Sequence, residues 1–116
     1  MTDMKITVGG DVVEEAGRRF VEAWRRAERG ETFDERRLSF ESWESLARVL
    51  TPKRTQLLRY VRRHDVASIR QLASALGRDY SNVHADVRTL AAEGLLDTTR
   101  GRLRADYDVI ETRIAL

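Results

Sequence analysis

The sequence predicts a mainly α fold with a small β-wing, and three observations carry that expectation. Apolar residues recur three and four apart behind helix-capping residues, an arginine-rich turn follows the last of these helices, and short alternating segments lie near both ends. In chain order, Lys5 to Val8 alternates and stops at Gly9-Gly10, as a short strand does. Asp11 can cap a helix that runs to about Arg29 and is halted by Gly30. Its apolar stripe is Ala16, Phe20, Ala23, Trp24 and Ala27, with Glu14, Arg18, Glu22 and Arg25 on the other side. Arg37 to Phe40 reads as a second short strand, and Ser42 caps a brief helix with Trp43, Leu46, Ala47 and Leu50 inward. Thr51-Pro52 opens the next helix, since Thr caps and Pro is tolerated where its missing amide is not needed. That helix, to about His64, buries Leu57, Leu58 and Val61.

Ser68 to Leu96 is the most informative stretch. Ser68 caps a helix whose apolar face is Ile69, Leu72, Ala73 and Leu76, and Gly77 ends it. After Arg78, Asp79 can accept from the free amides of a second helix, where Val83, Val87, Leu90 and Gly94 form one buried stripe. Leu95 to Thr99 then alternates into the turn signal Arg100-Gly101, and Arg102-Leu103-Arg104 returns toward Tyr107. Helix, tight turn, helix and hairpin follow one another as in a winged helix-turn-helix, to which the N-terminal helix and short accessory strands are added. Tyr107 to Leu116 alternates again, with Ile110, Ile114 and Leu116 on one side and Val109, Glu111 and Arg113 on the other. This strand is too long to serve the wing alone. It is expected to pair with Lys5 to Val8 or Arg37 to Phe40, of the same or a second subunit.

The second helix of the pair has two faces of different character. With Val83, Val87 and Leu90 inward, Ser81, Ala85, Arg88 and Ala92 point outward, Asn82 and Thr89 lie on one flank and His84 on the other. A slim helix face of small and hydrogen-bonding residues fits a DNA major groove. The same face could also be that of a plain exposed helix. Arg100, Arg102 and Arg104 cluster at the hairpin tip, where guanidinium groups reach phosphates or a narrow minor groove, or else keep an exposed strand edge soluble. Lys53 and Arg54 begin their helix, where they either touch phosphate or form plain surface. Arg70 and Arg78 complete the candidate DNA-binding set with Tyr80, Ser81, Asn82, His84 and Arg88.

Composition limits the alternatives. The chain has 116 residues, 41% of them hydrophobic and 34% charged, which suits one compact domain with a modest core. Net charge is only +2, but its distribution is uneven. Residues 1 to 51 carry 9 basic and 11 acidic side chains, residues 52 to 104 carry 11 and 5, and residues 105 to 116 carry 1 and 3. The positive charge thus falls on the segment already singled out by pattern, as an electrostatic footprint on DNA requires. No cysteine is present, and His64 and His84 are the only histidines, so neither a metal site nor a cofactor is expected. No nucleophile constellation surrounds His84, so no enzyme activity is expected. Asp86, bordering the buried stripe, is read as the partner of a nearby arginine or helix end. There is no signal segment and no apolar run of about 18 residues, so no membrane association and a cytoplasmic location are expected.

Thr51-Pro52-Lys53-Arg54 with Leu57-Leu58, Ser68 to Ala73, Leu76 to Val87 and Gly94-Leu95-Leu96 together resemble prokaryotic winged-helix regulators of the MarR and ArsR type. More closely, they are similar to small archaeal and bacterial DNA-binding regulators of the HVO type, some of which are encoded beside a TumE-type toxin. The resemblance covers residues 38 to 110 and implies that Tyr80, Ser81, Asn82, His84 and Arg88 face the groove and that Arg100 to Arg104 form the wing. Ala85 departs from the pattern, because many winged helices hold a phosphate-contacting arginine there. ArsR-type metal sensing would need Cys or clustered His, which the chain lacks.

The expectation is therefore a sequence-specific double-stranded DNA-binding transcriptional regulator, a dimeric repressor with its recognition helix at about 80–93 and its wing at about 98–105. Residues 1–50 would support the core or dimerise, 51–110 would bind DNA, and 111–116 would be a C-terminal strand. Phe20 and Trp24 are the candidate homodimer contacts, unless they pack within the chain. The alternative is an antitoxin or protein-interaction module that neutralises a toxin partner, with or without DNA binding.

Overall fold

The computed structural model describes residues 2–10, 12–30 and 35–116, and the side chains of 12–16 and 35 lie outside that description. Elements follow in the order β1 (Asp3–Val8), α1 (Val12–Glu28), β2 (Glu35–Phe40), α2 (Trp43–Val49), α3 (Pro52–Arg63), α4 (Ile69–Leu76), α5 (Tyr80–Ala92) and β3 (Val109–Ile114). A single 3-10 turn at Thr99–Gly101 separates α5 from β3. The fold is mixed α/β, where the residue pattern predicts a mainly α chain, because the short accessory strands join into a sheet of their own. The expected Asp11 cap, and the Glu14 and Ala16 placements on α1, fall outside the described residues.

The chain divides into two compact units, one of residues 1–46 with 107–116, the other of residues 47–106. In the first, β1 lies at the centre of a three-stranded sheet in the order β2-β1-β3, parallel to both neighbours. Asp3 pairs with Glu35 on one side and Val109 on the other, and the register holds to Val8 opposite Phe40 and Ile114. Backbone bonds carry the pairing past the strand ends, from Asp108 N to Thr2 O at 2.8 Å and from Ala115 N to Val8 O at 3.0 Å. Of the two partners open to the C-terminal strand, it takes β1 of the same chain. Met4, Ile6 and Val8 are buried on one face of β1, as the period of two requires.

Two helices present other faces than their apolar residues suggest. On α1 the half-buried positions are Arg19, Ala23 and Arg26, whereas Phe20, Val21 and Trp24 are exposed. On α2 the buried residues are Leu46 and Val49, while Trp43 and Ala47 are exposed. The seven-residue α2 has few turns over which periodicity can be read, so its inward face is set by its neighbours.

Local chemistry defines the helices of the second unit. Thr51 Oγ1 accepts from Arg54 N at 3.3 Å with Pro52 in the first turn of α3, and Leu57, Leu58 and Val61 are buried. Ser68 Oγ accepts from Gln71 N at 3.0 Å, and the Gln71 side chain reaches back to Ala67 N at 2.9 Å, a reciprocal cap on α4. Gly77 ends α4 at φ 63°, ψ 37°, a left-handed conformation that costs a side-chain-bearing residue, and Arg78 N bonds Ala73 O across it at 3.0 Å. Asp79 Oδ2 then accepts from Asn82 N at 3.3 Å to start α5. Val83, Val87 and Leu90 are buried as the spacing predicts. Gly94 is not part of that stripe: it is exposed at φ 81°, where it ends the helix and lets Leu95 N bond Leu90 O at 2.9 Å.

The expected β-wing is reduced to single bridges. Asp97 pairs antiparallel with Arg104, and Val66 with Leu103, but no ladder forms between them. The left-handed turn at Arg100 (φ 59°) and Gly101 (φ 77°) uses up the residues that would have extended the hairpin. Leu103 and Ala105 are buried beyond the turn.

Candidate nucleic-acid interface

The candidate residues Lys53 to Arg104 all lie in the unit of residues 47–106, which holds 12 basic and 6 acidic side chains and a net charge of +6. The remaining residues carry 9 basic and 13 acidic side chains, a net −4. Charge is therefore divided between the units much more sharply than the total suggests.

Besides its buried stripe, helix α5 is tied to its neighbours through one carboxylate. Asp86 Oδ1 accepts from Arg54 Nε at 3.0 Å and Asp86 Oδ2 from Arg78 Nη2 at 2.8 Å, with all three side chains less than a fifth exposed. Arg54 also donates through Nη1 to the carbonyls of Arg48 at 2.7 Å and Val49 at 3.2 Å, and so closes the C-terminal end of α2. A single cluster ties the end of α2, the start of α3, the turn after α4 and the middle of α5. Arg54 and Arg78, both candidates for phosphate contact, thus have their guanidinium groups engaged inside the unit. Arg78 Nη1 is buried without a hydrogen-bond partner, so that cation depends on Asp86 for its balance.

The outer face of α5 is open. Ser81, Asn82, Ala85, Arg88 and Ala92 are exposed, and His84 is half-buried on the flank. Tyr80 at the helix start is 43% exposed. Its ring lies 5.8 Å from that of His84, and the Arg70 guanidinium sits 5.1 Å from its centroid. Arg70, Tyr80 and His84 thus form one array that brings α4 to the edge of the α5 face, and Arg88 follows one turn beyond His84. A guanidinium held over an aromatic ring stays extended and charged, ready for an anionic partner.

In and just after the Thr99–Gly101 turn, Arg100, Arg102 and Arg104 are exposed. Arg102 pairs with Asp65, and Arg104 Nε lies 3.5 Å from Asp106 Oδ1. These are surface pairs, held weakly enough to exchange for another anion. Lys53 is exposed, as are Arg59 and Arg63 on α3, two cations that the residue pattern did not single out. Their spacing of four along one helix was the available signal. Among the described residues, no three His, Asp or Glu side chains gather as metal ligands, and no helix is long and apolar enough to cross a membrane.

The chain thus comprises a unit with a small parallel sheet and a basic helical unit with two capped helices around a tight turn. Residues 49–112 match the HVO_A0114 family, and because that match spans more than half of the sequence, the chain belongs to this family. No curated protein and no solved structure matches the chain.

Proposed function

We propose that residues 47–106 act as a winged helix-turn-helix that binds double-stranded DNA, and that the protein is a dimeric transcriptional repressor of the MarR and ArsR kind. The observation that carries this reading is the exposed face of α5, small and polar at Ser81, Asn82 and Ala85 and ending in Arg88, on a unit of net charge +6. A face of this width enters a major groove, where Asn and Arg read base edges. The wing arginines take flanking phosphates or the minor groove. Two subunits would place their α5 helices in successive major grooves, about 34 Å apart, and the bound protein would block a promoter.

The test is binding to fragments selected from the protein's own genome, followed across a range of salt concentrations. With three or four phosphate contacts per subunit, the log-log slope is expected to be on the order of −6 for a dimer. A flat response overturns the proposal. Arg88→Ala is expected to relax sequence preference by about 1–3 kcal/mol at one position, whereas Arg102→Ala weakens all DNA about equally. If both variants change specificity alike, the two faces have been misassigned.

A further inference from the structure

Strand β3 lies at one edge of the sheet, and among the described residues no strand continues beyond it. Ile110 is half-buried, and Glu111, Thr112, Arg113 and Ile114 are exposed, Ile114 at 49%. Val8 stands opposite Ile114 and accepts from Ala115 N at 3.0 Å. Main-chain groups alternate in direction along a parallel ladder. Glu111 and Arg113 therefore turn their N–H and C=O toward β1, while Ile110, Thr112 and Ile114 turn theirs to the open edge. Side chains alternate between the faces. Ile110, Thr112 and Ile114, opposite Met4, Ile6 and Val8, share the face of those residues, and Glu111 and Arg113 share that of Lys5 and Thr7.

The residues of this edge complement their own reverse. Ile110-Glu111-Thr112-Arg113-Ile114 runs apolar, acidic, neutral, basic, apolar. An antiparallel copy centred on Thr112 sets Ile110 against Ile114, Glu111 against Arg113, and Thr112 against itself. The three outward residues then fall at hydrogen-bonded positions, and Glu111 and Arg113 at the closer positions between them, with Cα atoms about 4.5 Å apart. Opposite charges and Thr–Thr pairs directly across are favourable combinations. Moving the centre by one residue either way sets Glu111 or Arg113 against its own copy, and like charges there are destabilising. Glu111 holds Lys5 within the chain, yet its side chain is 55% exposed, so its carboxylate can accept from a second cation. The opposite edge differs. There β2 carries Arg36 and Arg37 in succession, charges that guard an edge strand against pairing.

We propose that β3 is a self-association edge: two copies of the chain pair antiparallel through Ile110 to Ile114, about a two-fold axis at Thr112. Their sheets join into one, in the order β2-β1-β3-β3-β1-β2. The axis runs perpendicular to the sheet, so the faces bearing Met4, Ile6 and Val8 lie on the same side. Pairing of this symmetry closes at two copies. It supplies the two-fold axis that the dimeric part of the function proposed above calls for, and it does not depend on DNA binding. A five-residue pairing is about 17 Å long, and alone it falls short of the roughly 800 Å² per partner of a standard interface. The dimer is accordingly one that dissociates on dilution.

The experiment is sedimentation of the full chain over a concentration series without DNA, with circular dichroism of each variant. A species of twice the 13.4 kDa chain mass is expected. Glu111→Arg, and separately Arg113→Glu, each set two like-charged pairs across the edge and should weaken self-association about tenfold. An equimolar mixture of the two variants regains both opposite-charge pairs in the mixed dimer, and a single chain carrying both substitutions regains them with its own copy. Both should associate as the original does. Thr112→Pro removes an outward N–H and leaves the bonds to β1 in place, a change that an edge strand tolerates. It should keep the fold and abolish the dimer, and it leaves the Lys5–Glu111 pair untouched. In the original chain the amides of Ile110, Thr112 and Ile114 should exchange more slowly as concentration rises. A monomer at every concentration, charge reversals without effect, a mixture that stays weakened, or a dimer unaffected by Thr112→Pro overturns the proposal. Loss of the dimer with half-site DNA binding retained leaves the DNA-binding role standing, whereas an intact β3 dimer that ignores DNA overturns only that role.

Discussion

Asp86 balances two guanidinium groups that arrive from different parts of the chain, Arg54 from α3 and Arg78 from the turn after α4. Removing one partner of a buried ion pair is worse than never having built it, because the remaining charge stays desolvated. Asp86→Ala is therefore expected to destabilise the protein by about 2–3 kcal/mol, below the 3–5 of a fully buried pair because the cluster keeps some contact with solvent. A urea midpoint within error of the original would refute the role assigned to this carboxylate. Tyr107 makes a second prediction at this scale. Burial pushes its phenol up to about 12, with Arg36 pulling weakly the other way. The folded state holds that proton more tightly than the unfolded chain, whose tyrosine titrates near about pH 10. The resulting stability, of about 2 kcal/mol, is fully present below about pH 10 and is lost as pH rises through about 12. In a spectrophotometric titration the Tyr107 phenolate should appear only near the upper end of that range, and Tyr107→Phe should remove the late step.

At the level of elements, the residue pattern is most informative where the determining chemistry is local. Ser68, Gly77, Asp79 and the pair Thr51-Pro52 each act on amides and carbonyls within a turn of themselves, and α3, α4 and α5 begin and end where those residues place them. The outer face of α5 follows from the same periodicity. The sheet is less legible. Lys5 to Val8, Arg37 to Phe40 and Val109 onward are recognisable as strands, but parallel pairing of the first with both others depends on contacts that no local alternation encodes. The wing fails for a local reason of another kind: a left-handed Arg100 beside Gly101 closes the turn so tightly that single bridges replace a hairpin. Phe20 and Trp24 form a helical stripe in the sequence, yet a stripe alone does not say whether its cover comes from the same chain. Arg54 was legible as a cation at a helix start, but its partner is 32 residues away, and pattern cannot reveal that it is engaged.

The whole molecule combines contacts of very different range. The unit of residues 47–106 is built from neighbouring helices, whereas β1 meets β3 across 106 positions of chain. Closing so large a loop costs entropy before the pairing returns any stabilisation, and non-local pairings of this type form late. Pulsed hydrogen exchange during refolding is expected to protect amides of α3, α4 and α5 before those of β1 and β3. Simultaneous protection would mean that the two units fold as one. The topology has a further consequence for the covalent chain. Because β3 lies beside β1, the basic unit is an insertion whose entry and exit both belong to the same sheet. A protease that cut the chain once between the units would sever one covalent link and leave the fragments clasped by the β1–β3 ladder, so the nicked protein would keep its parts together until that ladder was pulled open.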